Sequence, residues 1–378
     1  MEQPQITHEG MKRKKNTAKK VLGILGIFLF SLGIILFLAF WQSPMAEILD
    51  LSEIPVRPAP SLPQPTASFD LLNPTGTPFR PEPELSPEAS VDKEIPSPAS
   101  VRSDPLCGNE SDWIVLLAGL DYAKPDPGYL YGLADVIRLI HVDFTKPRVN
   151  VVSLPRALLV DIIPEHYTIS GPLLINQGYF FGARGMGDYT GDGFGAGSLA
   201  EVIKYNFGIN TDHYLVVNFG AFVNFIDAIG GIDVDLPTYV DDLPRGYFPA
   251  GLQHLNGERT LYLARIRQKY SDLVRINDQS YIIKAIFQRL KDPYLLTHIP
   301  ELYDALKNSV ITDVSPSQIE VAYCLFKKMS GNDLHFFDPG WDNMNYGRVY
   351  IPTVGKEMEI FFWDQTFIDW INNSLWSE

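Results

Sequence analysis

Cysteine is nearly absent: Cys107 and Cys324 are the only two in 378 residues. They fit no zinc-ligand spacing, and two readings stay open, unrelated thiols or one disulfide in an oxidising compartment. Positive charge is scarce over most of the chain. The net charge is −14, yet residues 1–20 hold six Lys/Arg against Glu2 and Glu9, residues 21–41 hold no charge, and everything beyond sums to −18. So acidic a region is a poor match for nucleic acid, whose affinity rests on neutralised phosphates. Common enzyme signatures are missing as well: there is no G-x-S-x-G, no Walker loop and no H-E-x-x-H. A calcium-like run, Asp188-x-Thr190-x-Asp192-Gly193, lacks its closing acid, because Leu199 stands there. With seven glycines in residues 182–197, it reads as a mobile surface loop.

What is present begins with one long apolar run. Residues 21–41, VLGILGIFLFSLGIILFLAFW, are 21 residues with Ser31 the only clearly polar side chain. As a helix they span roughly 30 Å, the thickness of a bilayer's hydrocarbon core. The basic flank before the run stays inside the cell, so the C-terminal bulk is expected outside. A cleaved signal peptide fits less well, since its apolar region is usually shorter, about 7–15 residues, and no clean cleavage site follows. The layout is then a basic cytoplasmic tail (1–20), a transmembrane signal-anchor (21–41), a linker (42–105) with 14 of the 29 prolines, and a folded extracellular part. The linker reads as an extended spacer without a core.

From residue 106 strands and helices alternate. Asp112–Gly119, Ala134–Asp143 and Arg148–Leu154 are apolar, β-branched runs that read as buried strands. Leu199–Phe207 has helical spacing, His213–Val217 is a short strand, Phe219–Ile229 an apolar helix and Ile232–Leu236 a strand. A helix starts near Asn256, another runs from Arg275 to Lys291, and Ser315–Pro316–Ser317–Gln318 is a capping box opening a third through Met329. The expected class is α/β, a mixed central sheet flanked by helices. Residues 106–291 form its main domain and 292–378 an aromatic-rich extension packed on it. Trp341, Trp363, Trp370 and Trp376 lie in that extension, read as packing with sugar stacking as the alternative.

Charge gathers at the ends of these elements. Asp121 follows the first strand and Asp135 opens the second, a pair suited to a hard cation such as Mg²⁺. Arg156 follows the third strand, and Arg265 and Arg267 close the helix begun at Asn256. Arg275 and Gln279 share a face of the next helix, in its first turns. Each residue alone reads as a salt bridge. Together, if they converge, they make a site for a polyanion such as pyrophosphate.

These stretches resemble the LytR–CpsA–Psr family of bacterial envelope proteins. The resemblance is carried by IVLLAGLD (114–121), VVSLPR (151–156), INQGY (175–179), HYLVVNFGAFVNFIDAIGGIDVDLP from residue 213, FPAGLQHLNGERTLYLARIR (248–267) and SDLVRINDQ (271–279). It implies a membrane-anchored transferase that, with Mg²⁺, moves a glycopolymer from a polyprenyl-pyrophosphate carrier to a cell-wall acceptor such as peptidoglycan. Asp121 and Asp135 match the metal-site aspartates. Arg156, Arg265, Arg267, Arg275 and Gln279 match the pyrophosphate-contacting positions. The helix with Phe222, Val223, Phe225, Ile226 and Ile229 would line a lipid channel or serve as ordinary core. Three departures stand out: Leu133 and Asp278 where arginines are usual, and Ala157 after Arg156 where an aspartate is usual. They leave two alternatives, a non-catalytic tethered binder of polyprenyl phosphates or wall polymer, and a polyprenyl-pyrophosphate hydrolase. No general base is assigned.

Overall fold

The structure is a computed structural model that describes residues 49–60, 104–122, 132–242, 246–266, 272–292, 295 and 310–378. The basic tail, the 21–41 run and most of the linker lie outside the described residues. Among the described residues no helix is long and apolar enough to cross a membrane.

The chain opens with β1 (Asp112–Leu120), β2 (Ala134–Asp143) and β3 (Arg148–Ser153), an antiparallel meander. Short β4 (Leu159–Val160) and β5 (Leu173–Leu174) precede α1 (Ile175–Gly182) and α2 (Phe194–Phe207). Next come β6 (His213–Asn218), α3 (Phe219–Ala228), β7 (Ile232–Leu236), β8 (Val240–Asp242), β9 (Gly246–Phe248) and β10 (Gly251–Leu255). The helices α4 (Gly257–Arg265) and α5 (Asp272–Leu290) follow, then β11 (Val310–Thr312), α6 (Pro316–Lys328) and β12 (Leu334–Phe337). A hairpin of β13 (Asn345–Ile351) and β14 (Lys356–Phe362) leads to α7 (Gln365–Leu375).

The main sheet has the order β11-β6-β1-β2-β3-β12. It is mixed, with β6 parallel to β1, β12 parallel to β3 and the other pairs antiparallel. Its period-2 alternation divides the core into two layers. Leu116 opposite Leu139 and Ala118 opposite Ile137 face α1, α2 and α7, where Tyr179, Leu199, Ile203 and Phe367 close over them. Burying each such leucine contributes about 1.5–3 kcal/mol. On the opposite face Trp113, Val115 and Val142 pack against Leu325 and Met329 of the α6 region and Phe287 of α5. A third cluster lies beside the sheet, where α3, α4, α5 and the β7–β10 ribbon enclose Ile226, Ile229, Val234, Phe248 and Leu263.

The boundary at residue 291 divides the chain by motif, but the sheet runs across it. Both edge strands, β11 and β12, come from 292–378, so that segment completes the main layer. Trp363 is buried within it, while Trp341 and Trp376 are exposed. Cys107 and Cys324 form a disulfide that ties the start of the domain to α6.

Residues 49–60, read from composition as spacer, are instead laid along α2. Leu49, Leu51 and Ala59 pack on the core, and the Arg57 amide donates to Tyr205 O at 2.8 Å. The Arg57 side chain pairs with Asp161 and lies over Trp363, and Lys204 donates to Leu51 O. Prolines exclude regular structure here without preventing apolar side chains from docking.

Candidate functional site

The site forms where β1 ends and β2 begins. The register of that pair shifts between Gly119 and Leu120, which brings the two strand ends together. Asp121 Oδ1 accepts from the Leu133 amide at 2.7 Å, and the Asp121 and Asp135 amides both donate to Leu133 O at 3.0 Å. Gly132 allows this turn with φ of +144°, and a Cβ there would lie 2.9 Å from Asp121 Oδ1. Leu133 thus shapes the site through its backbone.

Asp135 is the hub. Arg156 Nη1 donates to its Oδ2 at 2.6 Å, and Arg275 Nη1 lies 3.8 Å from the same oxygen. Arg275 Nη2 also donates to Asp135 O at 3.4 Å, and Asn176 Nδ2 reaches Asp135 Oδ1 at 3.3 Å. Burial pushes the Asp135 carboxyl up, but Arg156, then Arg275 and Asn176, outweigh it and hold Asp135 below the usual carboxylate range. Asp121 is pushed the other way, first by the protein around it and then by the charge of Asp135. Two carboxylates that repel each other beside two guanidinium groups are a donor set of the kind a hard divalent cation takes together with phosphate oxygens. The side-chain oxygen Oδ1 of Asn176 is buried with no hydrogen-bond partner among the described residues, leaving acceptor capacity next to that set.

The other expected residues fall at varied distances from this hub. Gln279 is buried on α5, its Nε2 donating to Ala264 O at 3.1 Å. Arg265 follows Ala264 and lies over the Phe219 ring, 4.5 Å from its centroid, and the Phe219 amide donates to Tyr122 O beside Asp121. Arg267 lies outside the described residues. Ile226 on α3 and Ile229 at its C-cap are fully buried against α4 and α5, with Phe222 and Phe225 at the margin of that cluster. The Val223 carbonyl presses on α4, where a Cβ on Gly257 would come within 2.3 Å of it. Asp278, one residue before Gln279, is buried, and its Oδ2 has no partner among the described residues. Burial pushes its carboxyl up to about 7.

Sequence reasoning missed a second arginine cluster beneath the first. Arg138, only 1% exposed, rises from β2 toward α5. It donates to Asp338 at 2.8 Å, Ser280 at 3.3 Å, Ile276 O at 3.0 Å and Gln279 Oε1 at 3.4 Å. Ser153 and Ser280 also donate to Asp338. Burial pushes the Arg138 guanidinium down to about 10. A lone arginine in the apolar run DVIRLI was the available signal.

A mixed central sheet flanked by helices, with this carboxylate–arginine cluster at one strand edge, places the protein in the α/β class. The chain belongs to the LytR_cpsA_psr family, whose model matches residues 87–356. It is similar to a Bacillus subtilis protein named polyisoprenyl-teichoic acid–peptidoglycan teichoic acid transferase TagV, 27% identical over 225 residues, 57% of this chain and 53% of that protein. It is also similar to a Bacillus cereus TagU of the same transferase name, 26% identical over 250 residues, 64% of this chain and 75% of that one. The chain therefore spans about half the length of the TagV relative. Among solved structures, the crystal structure of B. subtilis TagV shares the fold, with a TM-score of 0.53 at 23% identity over 70% of this chain and 96% of that one.

Proposed function

We propose that this chain is a membrane-anchored phosphotransferase that moves a glycopolymer from a polyprenyl-pyrophosphate carrier to a cell-wall acceptor, using Mg²⁺. The observation that carries this reading is the convergence of Arg156 and Arg275 on Asp135, beside Asp121. A pyrophosphate entering there exchanges the internal carboxylate for its own oxygens, and Arg156 has the planar fork to hold one phosphate. Asp121 and Asp135 would hold Mg²⁺, which when bound supplies positive charge at the attacked phosphate. Arg275, and Arg265 at the end of α4, offset charge building on the leaving lipid phosphate. The chemistry is positioning and charge neutralisation. The apolar α3–α5 cluster is the side on which the lipid tail would lie.

Relatives named as teichoic acid transferases support the reaction class. The Cys107–Cys324 disulfide supports an extracytoplasmic location, since such bonds persist in oxidising compartments. The basic flank and apolar run of residues 12–41 support the single-pass anchor.

Asp278 favours a second reading, a tethered binder without catalysis. It puts a carboxyl on the helix that presents Arg275, where phosphate recognition gains from positive charge. The test takes the full chain in detergent with a short-chain polyprenyl-pyrophosphate oligosaccharide, Mg²⁺ and peptidoglycan fragments, and follows products by mass spectrometry. Lipid phosphate release with glycan on the acceptor, both lost in Asp121→Ala, establishes the transferase. Release without glycan transfer means hydrolysis, and binding without release leaves the tethered binder.

A further inference from the structure

The β13–β14 hairpin is buried on one side and, apart from Phe361, exposed on the other. Ile351 and Ile360 pack inward on Leu174, flanked by Val349, Met358 and Phe362. The opposite parity faces outward, where the register sets Tyr346 beside Phe361, Arg348 beside Glu359 and Tyr350 beside Glu357. Tyr346 is 51% exposed, Tyr350 57% and Trp341 54%. Trp341 and Tyr346 are mutually perpendicular at 5.9 Å between centroids, and both lean on Phe361, at 5.9 and 5.7 Å. The buried Phe361 ring makes a fixed base for the two exposed ones.

This surface is bolted to the site at two points. The Phe361 amide donates to Ala157 O at 3.0 Å, one residue beyond Arg156. At the hairpin turn, Thr353 Oγ1 donates to Gln177 Oε1 at 2.9 Å, one residue beyond Asn176. The aromatic face is therefore continuous with the segments that carry the phosphate-facing side chains.

Aromatic faces flanked by carboxylates and a guanidinium fit sugar rings, whose C–H faces stack while their hydroxyls hydrogen-bond. The charge selects which sugars. Arg348 stands against Glu357, Glu359 and exposed Asp342, a balance that repels a phosphate-rich polymer and tolerates an uncharged one. We propose that the outer face of β13–β14, with Trp341, Tyr346 and Tyr350, is the docking surface for the neutral amino-sugar strand of the wall acceptor. The inference rests on the transferase reading only for calling that strand an acceptor.

The test is calorimetric titration of the full chain in detergent with a soluble N-acetylglucosamine tetramer. The tetramer binds the wild type, Trp341→Ala and Tyr350→Ala each weaken it about tenfold, and Trp376→Ala, elsewhere on the surface, leaves it unchanged. Tyr350 has no ring partner among those described here, so its variant keeps the test valid where Trp341→Ala perturbs Phe361. Absence of saturable binding, equal weakening by Trp376→Ala, or preference of this face for a poly(glycerol phosphate) fragment overturns the proposal. Farnesyl pyrophosphate is titrated in parallel. If it fails to bind the wild type, the pyrophosphate reading falls, and the tetramer result still decides the docking surface.

Discussion

Two arginine–aspartate clusters lie on successive layers of this protein and are built to opposite ends. The upper one joins Asp135 to Arg156 and Arg275 at the strand edge, with side chains 4–18% exposed and contact distances from 2.6 to 3.8 Å. The lower one seals Arg138 against Asp338, Ser280, Ile276 O and Gln279. In the lower cluster every contact is internal, and its worth is to fix α5 against the sheet. In the upper cluster, on the proposed reading, the carboxylate stands where a phosphate oxygen would replace it. The contrast lies mainly in the arginines: Arg138 is 1% exposed and uses its donors internally, whereas Arg156 is 16% exposed, which the proposed reading makes a brace and a receptor respectively.

The largest expected effect separates chemistry from stability. Asp121→Ala or Arg156→Ala reduces transfer on the order of 10²–10³-fold in the mass-spectrometric assay, with little change in melting temperature. A collapse of folding in either variant would erase the distinction between the layers. Asp338→Ala leaves the Arg138 charge buried without its partner and costs about 3–5 kcal/mol in denaturant titration. Combining Arg138→Met with Asp338→Leu recovers most of that loss, yet weakens pyrophosphate binding several-fold, because Gln279 Oε1 loses its donor. Full recovery of both would reduce the brace to plain packing.

Asp278 sharpens the comparison by pH. In an unfolded chain its carboxyl titrates near 3.9, whereas burial raises it to about 7 in the fold. The folded state thus disfavours ionisation. The penalty is absent below about pH 4, grows as pH rises and levels off above about pH 7. Asp278→Asn should match the wild type in stability near pH 4 and exceed it at pH 8, by at most about 4 kcal/mol. A pH-independent difference would mean that the carboxyl titrates alike in the folded and unfolded chain, and a reversed one that a cation faces it. The smallest effect is that of Arg57→Ala, which removes a partly exposed ion pair with Asp161 and costs less than about 1 kcal/mol.

The sheet was legible because its strands announce themselves. β1, β2 and β3 are unbroken apolar runs, and α6 carries its own start signal, with Ser315 and Gln318 capping each other. Asn256 likewise accepts from the Arg259 amide at 2.9 Å, as its position suggested. The helix α1 was missed because two of its eight residues are glycine and the residue before it is Leu174, whose amide is satisfied only by the Gln177 side chain. For the site, Asp121, Asp135, Arg156 and Arg275 are recognisable from their places at element ends. Asn176 and Asp338 are not, because their contacts span 41 and 200 residues and only topology brings them in.

The docking of residues 49–60 along α2 changes what the proline-rich region can do. Residues 49–60 and 104–122 are both held on the domain, so the chain is fixed on each side of residues 61–103. Their length then does not set the distance between the domain and residues 42–48. If residues 21–41 cross the bilayer as their composition predicts, seven residues, 42–48, separate them from the docked segment, a span of at most about 25 Å. On that reading the proposed phosphate site stays within reach of lipid head groups. The number of residues between 60 and 104 can then vary without moving that site, since each doubling adds only about 0.6 kcal/mol of closure cost.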